Sequence, residues 1–177
     1  MLDALITSKT RIKMLVRFFL DPANSGYLRG LAGEFGDSTN SVRLELNRME
    51  EAGLLKSHAS GGKKLYRANS KHPLFPDIQS IVRKYIGMDE LIEGVINQLG
   101  DPTALYLVGD LAKGIDSPDM SLIIVGNNID HDFLESLVAK TQKTIGRHIR
   151  YAIFTPEEFD VHHQFLDSEK TLQVWEK

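Results

Sequence analysis

Apolar positions recur at helical spacing through the first half of the chain and give way to continuous apolar runs in the second. Ile12, Leu15, Val16 and Phe19 predict a core helix that Ser8 or Thr10 caps and Asp21-Pro22 ends, with Arg11, Lys13 and Arg17 on its solvent side. After the turn at Asn24-Ser25-Gly26, Tyr27 starts a short strand or leads directly into a second helix over 28–35, with Leu31, Ala32 and Phe35 inward. Gly36-Asp37 closes that helix. A third begins at Ser38 or Thr39 and stops at Gly53. Its apolar face is Val42, Leu44, Leu46, Met49 and Ala52, and Asn40, Arg43, Asn47 and Arg48 occupy its other faces. Two β-compatible segments, 54–57 and 65–68, are then joined by a loop from His58 to Lys64. In that loop Gly61-Gly62 supplies the positive φ angles of a hairpin and Lys63-Lys64 supplies two cations.

Lys71-His72-Pro73 opens a link to two amphipathic helices. One starts at Pro76-Asp77 with Ile78, Ile81, Val82 and Tyr85 as its stripe, and one covers 88–99 with Leu91, Val95, Ile96 and Leu99. From Thr103 the period changes. Residues 104–108 read as a buried strand, 109–114 as a turn and short helix, and 121–126 as a second buried strand. A long helix over 129–145, a third strand over 149–154 and a helix capped by Thr155 with Pro156 at its first position complete the pattern. Phe165, Leu166, Leu172, Val174 and Trp175 leave apolar surface near the end, to dock the tail or bury a subunit contact. The expected fold class is α/β (α+β), divided as 1–72, a helical connector 73–100, and a small α/β domain 101–177.

Composition changes this picture in one respect. The formal charge is −3, yet residues 1–87 carry 14 Lys and Arg against 8 Asp and Glu, while residues 88–177 carry 7 against 16. A basic half joined to an acidic half suggests that one part meets phosphates and the other does something else. The absence of cysteine excludes disulfides, thiolate zinc sites and thiol redox sensing. No apolar run approaches the ~18 residues of a membrane span and no signal-peptide pattern opens the chain, so a soluble, cytoplasmic protein is expected.

Three short helices with a tight turn between the second and third, followed by a basic hairpin, match a winged helix-turn-helix reader of double-stranded DNA. Ser38, Thr39, Asn40 and Ser41 can bond phosphates or base edges, Arg43 can reach guanine or the backbone, and Asn47 enters the same groove. Lys63 and Lys64 hold the adjacent backbone, with Arg29 and Arg48 as secondary phosphate contacts. The same serines, threonine and asparagine are ordinary helix caps, and lysines are common at hairpin tips.

The run from Ser41 to Leu55, with Leu46-x-x-Met49-Glu50-x-Ala52-Gly53-Leu54-Leu55, is followed by Lys63-Lys64-Leu65-Tyr66-Arg67-Ala68-Asn69. It resembles the winged-helix domain of bacterial ArsR-like transcriptional regulators, over about residues 10–86. Metal-sensing members use cysteine-rich sites, so the resemblance does not carry metal sensing to this chain. The Tyr66-x-x-Asn69 spacing is similar to a branch in which the winged helix is joined to a nucleotidyltransferase-like domain. The spacing Val108-Gly109-x-x-Ala112-x-Gly114-x-x-Ser117-x-Asp119-x-Ser121 resembles the minimal nucleotidyltransferase core. In that family a Gly-Ser turn holds the triphosphate and two aspartates one residue apart bind the metal ions. Here the turn residue after Gly109 is Asp110, and Ser121 replaces the second aspartate beside Asp119. One hydroxyl cannot neutralise a divalent ion as a carboxylate does, so the resemblance implies a degenerate domain.

No other constellation competes. Asp110, Asp116 and Asp119 are loop acids close in sequence, His162-His163 point apart, His131-Asp132 starts a helix, and the Gly109 to Gly114 spacing lacks the Lys-Ser/Thr of a P-loop. The leading expectation is a transcriptional regulator without cofactor or metal, acting as a homodimer on duplex DNA, with a small-molecule or protein effector left unnamed. The rivals are an active metal-dependent nucleotidyltransferase that modifies a protein or small acceptor, and a protein-interaction module.

Overall fold

Ser8 accepts a hydrogen bond from the Arg11 amide at 3.2 Å and so starts α1 (Lys9–Phe19). The structure, a computed structural model, describes residues 2–166 and 170–177, and for Asp3 and residues 163–166 the backbone alone. In α1 the expected stripe Ile12, Leu15, Val16 and Phe19 is buried, and Met14 and Phe18 are buried with it. That leaves little solvent face for the three cations expected outside, and Arg11, Lys13 and Arg17 are each half-buried and held by an acid. Arg11 pairs with Glu45 at 2.8 Å, Lys13 with Asp37 at 3.1 Å and Arg17 with Glu34 at 3.1 Å.

Tyr27 leads directly into α2 (Leu28–Phe35) from its cap position, but it ends a strand and does not start one: β1 (Ser25–Tyr27) already takes in Ser25 and Gly26, and the turn lies earlier, at Pro22-Ala23. Ser38 caps α3 (Thr39–Glu51) by accepting from the Ser41 amide at 3.1 Å. The buried face of α3 is Val42, Glu45, Leu46 and Met49, whereas Leu44 is 49% exposed and Ala52 is exposed. Helical geometry explains the correction. Positions three, four and seven beyond Val42 return to its side at about 100° per residue, but position two does not, whatever its hydropathy.

The hairpin is tighter than the seven-residue loop expected. β2 (Leu55–Ser60) and β3 (Lys63–Ala68) pair from Leu55 with Ala68 to Ser60 with Lys63, leaving only Gly61 and Gly62 in the turn. Both have positive φ, 56° and 72°, as a type I′ turn requires. Lys63 and Lys64 are therefore strand residues, and being adjacent they point to opposite faces. With β1 added to β3, the sheet order is β1-β3-β2, all antiparallel.

α4 (Phe75–Ile86) and α5 (Met88–Gln98) form where two amphipathic helices are expected, and Val82, Leu91, Val95 and Leu99 of the expected stripes are buried, but one position in each is turned outward. Ile81 and Ile96 are exposed, and Phe75, Ile86 and Ile92 are buried in addition. Phe75 stacks on Phe19 with ring centroids 5.5 Å apart. The chain divides into two compact units, Met1–Val82 with Gly114–Asp116, and Arg83–Lys113 with Ser117–Lys177.

In the second unit β4 (Asp101–Val108) and β5 (Asp119–Asn127) pair antiparallel, α6 (His131–Ile145) leads to β6 (His148–Phe154), and β6 lies parallel to β5. The segment 109–114 is a turn without the short helix expected there. α7 (Pro156–Leu166) opens on a capping box, in which Thr155 Oγ1 accepts from the Glu158 amide at 3.2 Å and the Glu158 carboxylate accepts from the Thr155 amide at 2.9 Å. Leu172, Val174 and Trp175 belong to β7 (Thr171–Glu176), which pairs antiparallel with β4 and completes a sheet of order β6-β5-β4-β7. The expected apolar contribution of Phe165 and Leu166 and the side chain of His163 lie outside the described residues. Ala104, Ile123 and Val125 form one core face, where Tyr106 stacks on Phe159 of α7 at 4.8 Å. The described residues thus form a mixed α/β fold with two sheets, and no helix among them is long and apolar enough to cross a membrane.

Candidate nucleic-acid interface

Everything polar on α3 that the core does not need is turned outward. Thr39, Asn40, Ser41, Arg43, Asn47 and Arg48 are all exposed, and the first turn contains no acid. Free amides and a positive dipole end at such a terminus attract anions. Ser38 and Ser41 are already engaged with each other, the Ser38 hydroxyl donating to Ser41 Oγ at 3.0 Å while capping the helix. Their first role is to hold the helix start. Thr39, Asn40, Arg43 and Asn47 present their side chains to solvent.

The inner side of α3 is held by a carboxylate that hydropathy does not reveal. Glu45, only 5% exposed, accepts from Arg11 Nε at 2.8 Å and Nη2 at 3.2 Å, and from Ser8 Oγ at 2.8 Å. Arg48 approaches the same carboxylate at 3.5 Å. Burial pushes the Glu45 carboxyl up, but the hydrogen bonds from Arg11 and Ser8 and the charges of Arg11 and Arg48 outweigh it and hold the group below its ordinary range. The bidentate pair fixes the rotation of α3 about its axis relative to α1, and with it the direction of the outer face. The position of Glu45, three residues after Val42 on the buried side, is the signal that could have found it.

Glu50 fastens the hairpin to the same helix. It accepts from Ser57 Oγ on β2 and from Lys64 Nζ on β3, the latter at 2.6 Å. The hydrogen bonds from Lys64 and Ser57 lower the Glu50 carboxyl, and the bond to Glu50 raises the Lys64 ammonium. Lys64 is therefore an anchor as well as a cation. Asn69 completes the attachment, donating from Nδ2 to the Gly53 carbonyl at 2.8 Å just past the end of α3. Lys63 lies on the opposite face of β3, its ammonium 5.7 Å from the Tyr27 ring centroid. Arg29 on α2 and Arg43 on α3 are exposed and make no ion pair among the described residues.

On the outer face of this sheet Lys56 stands directly opposite Arg67, both exposed, with His58 and Lys63 on the same side. Like charges facing across strands are unfavourable without an anion between or above them. Neither residue stands out in the sequence, because neither lies on the third helix or in the turn.

In the second unit Gly109 has φ 74° and Asp110 is exposed in the turn after β4. Asp119 and Ser121 share one face of β5, and Arg150, paired with Ser121 on β6, reaches Asp119 Oδ1 at 3.3 Å. A guanidinium thus shares the only acid at those two positions. Among the described residues no three His, Asp or Glu side chains come together in a way that could hold a metal ion.

No protein-family model matches this chain. No curated protein or solved structure matches it either.

Proposed function

We propose that this protein is a DNA-binding transcriptional regulator, in which α2 and α3 act as the helix-turn-helix and β2-β3 as the wing. The observation that carries this reading is the outer face of α3, where Asn40, Arg43, Asn47 and Arg48 project away from the buried side. The major groove admits one α-helix, and these residue types carry the donors and acceptors that base edges and phosphates require. Arg29 on α2 and Lys63 on β3 supply further phosphate contacts, and Thr39 lies at the helix tip. Ser38 and Ser41 order the tip, Arg48 divides its charge between Glu45 and the duplex, and Lys64 chiefly holds the wing to Glu50.

The likeness of the 41–69 run to ArsR-like winged helices points the same way. The second unit serves this regulator as a nucleotidyltransferase-like scaffold, for oligomerisation or for sensing a small-molecule or protein effector. Ser121 cannot supply the second metal carboxylate and Arg150 already faces Asp119, so nucleotide transfer is not its task. A homodimer acting in the cytoplasm fits a reader that addresses palindromic sites.

Fluorescence anisotropy of the full chain with a labelled duplex at low salt tests the reading. Binding is expected, with log affinity falling by about 0.9 per neutralised phosphate for each unit of log salt. Absence of duplex affinity at low salt, or affinity indifferent to salt, contradicts it.

A further inference from the structure

The turn of α3 decides which side chains meet a surface laid against it. At about 100° per residue, Val42, Glu45, Leu46 and Met49 gather on the buried side. The line directly opposite passes through Asn40, Leu44 and Asn47 and ends at Glu51 in the last turn, all exposed. Arg43 and Arg48 stand about a fifth of a turn to either side of that line. The centre of the outward face over the first two and a half turns is therefore amide, isobutyl, amide, with a cation on each flank, and the Glu51 carboxylate closes the line at the far end.

Such a line is specific in what it can match. An asparagine side chain offers one donor and one acceptor in the spacing of adenine N6 and N7. An isobutyl group offers neither, and the one apolar group on a major-groove base edge is the thymine 5-methyl. From Asn40 to Asn47 the helix rises about 10.5 Å, close to three base-pair steps of about 3.4 Å. The flanking arginines then face the two phosphate strands while the central line faces the bases.

We infer that the line Asn40, Leu44, Asn47 reads A·T base pairs, the asparagines taking adenine edges and Leu44 packing on a thymine methyl. The inference rests on the DNA-reading function proposed above and adds the identity of the bases. Leu44, which hydropathy alone assigns to the core, becomes the residue that selects sequence.

The test begins by selecting duplexes from a random pool with the full chain at low salt, then resynthesising the selected site with deoxyuridine in place of single thymidines. Uracil differs from thymine only in lacking the methyl. The expected selected core contains A·T pairs, and at one or two positions the uracil replacement lowers affinity about fourfold, the effect of unburying one methyl-sized group. Leu44→Ala, at an exposed helical site that tolerates alanine, should bind the thymine duplex about fourfold more weakly and no longer distinguish uracil from thymine. A selected core without A·T pairs overturns the inference while leaving the DNA-reading function standing. So does uracil-insensitive binding by the unaltered protein, or uracil sensitivity that survives Leu44→Ala. A pool from which no duplex is retained removes the DNA-reading function itself.

Discussion

Replacing Arg29, Arg43 and Lys63 together by alanine should weaken duplex binding by up to about a hundredfold, since each solvent-exposed charge pair with a phosphate contributes up to about 1 kcal/mol. The three are exposed and make no ion pair among the described residues, so each is free to neutralise a phosphate. The slope of log affinity against log salt should fall by about 2.7, from three phosphates at about 0.9 each. Stability should change little, since exposed side chains outside the core typically contribute within about 0.5 kcal/mol. Arg150→Ala is the control, because Arg150 lies in the second unit against Asp119, and it should leave duplex affinity unchanged. Equal losses in the control and the triple variant would mean that overall charge, and not this face, attracts the duplex.

Arg11→Met is expected to cost the first unit about 2 kcal/mol at neutral pH, below the usual loss for a fully buried pair because Arg11 itself is partly exposed. The pH dependence identifies the cause. In the unaltered protein the Glu45 carboxyl is held below its ordinary value. Its contribution is therefore present above the unfolded pKa and is lost as pH falls through the lower folded pKa. Without Arg11, burial of Glu45 is opposed only by the Ser8 hydrogen bond and the Arg48 charge, so the stabilising effect of ionising Glu45 above the unfolded value should shrink. The gap between variant and unaltered protein should be widest near pH 7 and narrow as the carboxyl protonates below about pH 4. Hydrogen exchange of the α1 and α3 amides at the two pH values reads this within the first unit alone. A gap that is the same at both would assign the loss to packing of the Arg11 stem and not to charge.

The order of helices and strands is legible in the chain because it rests on period and punctuation. Ser8, Ser38 and Thr155 cap the helices whose starts their positions mark, and Gly61-Gly62 turns the hairpin. Hydropathy misplaces residues whose type disagrees with their angle. Leu44, Ile81 and Ile96 are apolar but lie off the buried line, while Glu45 is charged but lies on it. Geometry decides such cases, and for Glu45 the cost of burial is offset by Arg11 and Ser8, residues 34 and 37 positions away. Long-range pairing of that kind leaves no local pattern to read.

The same holds for the candidate site. Its polar inventory on α3 is evident from the chain, but the engagement of Lys64 by Glu50 depends on the register of β3 against β2 and the reach from α3. Lys56 and Arg67 face each other only once that register is known. β7 reads as an apolar tail in the sequence because a six-residue segment without a period-two alternation gains its partner, β4, only in the folded sheet, across a register shift.

In the proposed function, the outer face of α3 and the tip of the β2-β3 hairpin meet one duplex. Mapping backbone amide shifts in the isotopically labelled full chain, as a bound duplex is added, tests this most directly. The largest changes are expected at residues 39–48 and 61–63, with the β4 to β7 sheet little affected. Changes concentrated in that second sheet, with α3 and the hairpin tip unmoved, would contradict it.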